Sequence, residues 1–122
     1  MKTNLFISFF ITAFTLAGCY YDKEEELYGA NPCDTNNVSY SGTIAGVINN
    51  YGCLGCHAES SPSANINLAS YTGVKARVTD GSLWGSINHS PGFSPMPQAA
   101  GKMSLCDISR IKAWIDAGAP NN

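Results

Sequence analysis

The run Cys53-Leu54-Gly55-Cys56-His57 puts two thiols and an imidazole within five residues. Residues of these types can do three kinds of chemistry. A cysteine pair at this spacing can cycle as a redox dithiol in a βαβ setting. Cysteine and histidine can hold structural zinc, but that needs four ligands at matched spacing. C-x-x-C followed directly by His is the attachment signature for haem c. There both thiols add across the vinyl groups as thioethers. The two intervening residues let both sulfurs reach one porphyrin edge, and the histidine becomes the proximal ligand. The chain offers no second C-x-x-C or spaced His pair for zinc, and no strand–helix alternation for a dithiol enzyme. With 5 cysteines and 2 histidines in 122 residues, chance supplies about 0.003 such motifs. The spacing therefore predicts one covalent haem c per chain, bound by Cys53, Cys56 and His57.

A sixth iron ligand is the next requirement. A methionine there raises the potential and closes the iron. Met96 lies in Pro95-Met96-Pro97, inside the loop 90–101. Its proline neighbours restrict the backbone and preorganise a ligand. Met103 directly precedes Ser104, where it suits a hydrophobic staple to Ile108. Met96 is thus read as the ligand and Met103 as staple or core. His89 leaves two alternatives open. It could give bis-His ligation, or serve as a cap or hydrogen-bond partner at a helix end. An iron with no sixth protein ligand is a further alternative.

The elements that must position these residues are helical. Ile44, Val47, Ile48 and Tyr51 share one face of a helix, with Ser41 as its expected N-cap. Asn49 to Gly52 should break that helix just before Cys53. At the other end, Ser104 with Asp107 three residues on resembles a capping box. Leu105, Ile108, Ile111 and Ile115 run along one face with Trp114 on its flank, and Gly118 and Pro120 end a helix over 105–117. Short helices are expected over 70–78 and 82–88, the second with Leu83, Trp84 and Ile87 inward. Ile66, Leu68, Tyr71 and Val74 are expected to line a haem crevice. The fold class is therefore all-α, with a loop-rich middle.

Helix, then C-x-x-C-H, then Pro-Met-Pro, then Trp114-Ile115-Asp116-Ala117-Gly118-Ala119 resembles a class I c-type cytochrome. It is similar to small bacterial cytochrome c lipoproteins and Planctomycete-type cytochrome c domains, over about residues 33–120. The resemblance implies N- and C-terminal helices crossing beside the haem. It maps the proximal histidine onto His57 and the axial methionine onto Met96.

Residues 1–18 read as an address. Lys2 precedes a 12-residue apolar stretch, Leu5 to Leu16, too short for the roughly 20 residues that span a bilayer. Leu16-Ala17-Gly18-Cys19 resembles the bacterial lipobox, making Cys19 the lipidated N-terminus. The alternative is an ordinary signal peptide. Residues 19–32 carry Asp22, Glu24, Glu25 and Glu26 against Lys23 and read as a solvated acidic tether. Two acyl signals suffice for a stable anchor. The expected location is the bacterial cell envelope, on the periplasmic or surface side. Tyr20 after Cys19 favours the outer membrane. The acidic run resembles a surface-export signal, or is only a spacer.

The remaining domain, 33–122, has equal numbers of acidic and basic residues. That excludes a nucleic-acid footprint and strong steering toward a highly charged partner. Once lipid and haem have taken Cys19, Cys53 and Cys56, Cys33 and Cys106 remain, and an oxidising compartment predicts that they pair. No nucleophile–base set or paired carboxylates point to an enzyme. The expected function is a monomeric, membrane-tethered electron carrier serving a redox partner protein. The alternatives are a haem enzyme or ligand sensor with an open or bis-His site, and an accessory haem subunit of a larger surface complex.

Overall fold

The computed structural model describes residues 33–98 and 100–122. The signal peptide, the Cys19 lipidation site and the tether 19–32 lie outside the described residues. Those that are described belong to one unit and form helices only. A π-helical turn, Tyr40–Ile44, runs directly into an α-helix, Ala45–Asn50; together they are α1. Then come α2 (Leu54–His57), a tight turn at Ser63–Asn65, α3 (Tyr71–Thr79), α4 (Ser82–Ile87) and α5 (Leu105–Asp116).

Helix α1 starts earlier than its sequence suggests. Ser39, not Ser41, is the N-cap, and its Oγ accepts from the Gly42 N–H. Ser41 instead donates its N–H and Oγ to the Asn122 carbonyl, at 2.9 and 2.8 Å. Asn122 Oδ1 takes the Tyr40 N–H at 2.9 Å. The orphan donors of the first turn are thus satisfied partly by the far end of the chain. The expected face is inward: Ile44, Val47 and Ile48 are buried and Tyr51 half-buried.

On α5 the Ser104 cap holds, with Oγ accepting the Asp107 N–H at 3.1 Å. The buried face differs from the expected one. It is Ile108, Ile111 and Trp114, while Leu105 is 78% exposed. Steps of three residues drift backward around a 3.6-residue helix. Centring the stripe on Trp114 therefore pushes Leu105 off its edge. Trp114 has no exposed surface. Its ring lies 5.8 Å from Tyr40, which meets Tyr71 edge-on at 5.2 Å. Its Nε1 donates to the Pro120 carbonyl at 3.0 Å.

Val74 and Tyr71 join the same core. Val74 is fully buried with Ile44 and Trp114, and Tyr71 packs on Tyr40. Both belong to the core beneath α1 and α5, where Leu68 is also buried and Ile66 packs against it. Helix α3 also closes the end of α5. Lys75 Nζ donates to the Gly118 carbonyl at 2.6 Å and Tyr71 Oη to the Ala119 carbonyl at 3.0 Å. A cation at a helix C-terminus also favours the dipole. Gly118 takes φ +89 in the turn that follows.

Two further ties hold the start of α5. Cys33 and Cys106 form a disulfide across a sequence separation of 73. Tyr51 Oη, at the end of α1, accepts the Ser104 N–H at 3.0 Å and donates to Asp107 Oδ2 at 2.9 Å. Tyr51 thus fills the place that a full capping box would give to the Asp107 carboxylate. Burial pushes the Asp107 carboxyl up. Bonds from Ser104, Tyr51 and Arg110, with the Arg110 charge, outweigh it and hold the group below its ordinary value.

Replacing Cys33 and Cys106 by Ser should cost about 2–4 kcal/mol of stability, read from thermal unfolding by circular dichroism. A carboxyl whose pKa falls on folding stabilises above its unfolded value and stops doing so as pH falls through its folded value. Asp107→Asn should therefore lose about 1–2 kcal/mol at neutral pH. Denaturant titrations should show the gap to wild type closing as pH falls from the ordinary carboxylate value through the lowered folded one.

Candidate functional site

The Cys53–His57 segment is placed by a sharp exit from α1. Gly52 adopts φ +66, a left-handed conformation that glycine takes without steric cost. Cys53 N–H returns to the Ile48 carbonyl at 3.1 Å, which keeps the segment against α1. One helical turn follows, closed by His57 N–H to the Cys53 carbonyl at 2.9 Å. Both thiols are free, Cys53 half-buried and Cys56 exposed. Burial pushes the Cys53 thiol above its ordinary value, and a backbone hydrogen bond only partly offsets this. A catalytic redox dithiol needs the opposite shift, toward thiolate.

His57 is the one buried polar side chain among the described residues, 9% exposed. Its Nδ1 lies 3.0 Å from the Ile66 carbonyl oxygen. A carbonyl only accepts, so Nδ1 carries a proton, and in the neutral ring the lone pair is then on Nε2. The backbone repeats the grip, with the Leu68 N–H donating to the His57 carbonyl at 2.8 Å. Segment 66–68 therefore fixes both the ring plane and the tautomer. This is the outer-shell arrangement that orients a metal-ligating imidazole. Two free thiols on one turn and a buried imidazole with an available Nε2 fit the donor set of haem c.

Met96 is half-buried in its loop, next to a cis peptide bond to Pro97. Its N–H donates to the Ser86 carbonyl at 3.1 Å, and its carbonyl meets His89 Nε2 at 3.0 Å. These bonds run to the end of α4 and none of them to the Cys53–His57 turn. Met103 is 5% exposed and belongs to the core, as its staple position suggested. His89 is exposed, with Nε2 engaged by the Met96 carbonyl.

Two features of the site have no side-chain signature in the sequence. Ile66 was expected to contribute its side chain, yet its carbonyl is what holds His57. Phe93, in the Met96 loop, lies over the backbone of Gly85 in α4. A Cβ added at Gly85 would come within 2.4 Å of the Phe93 ring. A lone glycine inside a helical pattern was the available signal for that approach.

Among the described residues no three His, Cys, Asp or Glu side chains converge on a metal-ion position, and no helix is long and apolar enough to cross a membrane. Comparison with protein-family models, curated proteins and solved structures gives no match.

Gly85→Ala should destabilise the domain by displacing Phe93, a cost of about 1–3 kcal/mol typical of overpacking. Adding Phe93→Ala should recover part of the loss. A double-mutant cycle from urea titrations measures the coupling, and strict additivity would contradict the contact.

Proposed function

We propose that this chain is a membrane-tethered monohaem c-type cytochrome that carries single electrons. The carrying observation is His57: buried, with Nδ1 held by the Ile66 carbonyl, directly following two free thiols on the same turn. Cys53 and Cys56 would hold the haem as thioethers. His57 would ligate through Nε2 and Met96 through its thioether sulfur. When bound, the haem supplies a one-electron ferric–ferrous couple.

The chain's own residues have defined tasks around it. Ile66 and Leu68 keep His57 in one tautomer and one orientation, so that the ligand need not rearrange when the iron changes charge. Gly52 turns the chain so that Cys53 and Cys56 follow α1 at once. The helix pairing of α1 with α5 supports the class I likeness. The lipobox-like segment supports a lipid anchor in the cell envelope, and the balanced charge of residues 33–122 supports docking to a redox partner protein without strong steering.

The holoprotein, expressed with cytochrome c maturation and purified from membranes, tests the reading. Its denatured mass should exceed the polypeptide by one haem, and Cys53→Ala with Cys56→Ala should abolish that addition. The ferric spectrum should show the long-wavelength sulfur-to-iron band and the ferrous form should not bind CO. Met96→Ala should remove the band and admit CO. Absence of covalent haem overturns the proposal. Haem present with rapid CO binding in the wild type replaces the carrier with an open-site sensor or enzyme.

A further inference from the structure

The last turn of α4 is built around an unusual residue. The helix closes with Ser90 N–H on the Gly85 carbonyl at 2.8 Å and His89 N–H on the Ser86 carbonyl at 3.2 Å. This is the Schellman pattern, and it places a left-handed residue just past the C-cap Asn88. Glycine is the usual occupant, because a side chain there is strained. Here it is His89, at φ +56. A bulky residue at a glycine position calls for a task that its side chain performs.

The task is visible in the loop. His89 Nε2 lies 3.0 Å from the Met96 carbonyl, seven residues on. The carbonyl only accepts, so Nε2 donates. The Met96 N–H meanwhile reaches the Ser86 carbonyl at 3.1 Å, the same oxygen that closes the helix. Both backbone polar groups of Met96 are thus fixed on the end of α4. Lys102 Nζ adds a tie from the far side of the loop, to Asn88 Oδ1 at 3.1 Å.

We infer that His89 is a positioning residue for Met96: its ring holds the methionine's peptide in place so that the thioether is presented to iron. The inference rests on the haem reading above. It assigns His89 a role distinct from iron ligation, the alternative that its sequence left open.

Three variants of the holoprotein separate the ring's task from the backbone's. His89→Gly relieves the left-handed strain and removes the donor. His89→Asn tolerates the same backbone with an amide too short to reach Met96. His89→Gln restores a donor of closer length. Thermal unfolding should leave His89→Gly at least as stable as wild type. In both His89→Gly and His89→Asn, the ferric sulfur-to-iron band should weaken. Imidazole, added as an external ligand, should bind ferric iron about five- to tenfold faster, the scale of one lost hydrogen bond. His89→Gln should recover most of the wild-type rate. Unchanged imidazole kinetics and an unchanged band in the Gly and Asn variants would overturn the positioning role. Met96→Ala in parallel distinguishes the two levels: if it leaves the band intact, the ligand assignment itself fails.

Discussion

The burial of Trp114 is the contact on which the other elements converge. Among the described residues the longest helix is α5, with 12 residues, and a domain this short has few ways to cover it. Tyr40 from α1 covers the indole on one side, and Tyr71 from α3 buttresses Tyr40. Ile44 and Val74 are the other large side chains that are fully buried. The indole N–H is not orphaned, since the chain after α5 folds back to offer the Pro120 carbonyl. That return also brings Asn122 to the first turn of α1. Aromatic burial, helix capping and chain closure are one event here, not three.

From this closed end the chemistry-bearing residues are held at the other ends of the helices. α1 delivers the Cys53–His57 turn at its C-terminus, and α4 delivers the Met96 loop at its own. Neither site element is itself long enough to be stable. Each is fixed by main-chain oxygens: Ile66 for His57, Ser86 for the Met96 N–H. Such contacts are insensitive to which side chain occupies the accepting position. They depend on loop path, and the path depends on the core.

That dependence explains what could be read in advance. The helices were legible because their apolar spacing and caps are local: Ser104 caps where expected, a helix forms close to the expected 70–78, and α5 ends before Gly118. The Cys33–Cys106 pair followed from counting cysteines against their uses. The displaced details are all non-local. Ser39 rather than Ser41 begins α1 because Asn122 arrives to take Ser41's groups. Leu105 faces solvent because Trp114, the larger side chain, sets the rotation of α5. Tyr51 replaces half of the capping box from a distant part of the chain. At the site, C-x-x-C-H is legible by spacing alone. The Ile66 carbonyl is not, because every residue has one.

The Cys33–Cys106 bridge carries a mechanical consequence. Tension applied between a point upstream of Cys33 and a point beyond Cys106 passes through the two sulfurs. The intervening backbone, which includes the Cys53–His57 turn and the Met96 loop, lies off that load path. The same topology makes the segment a closed ring. One backbone cut within it opens the ring but leaves a single covalent molecule, with α5 still joined to the residues that lead into the domain.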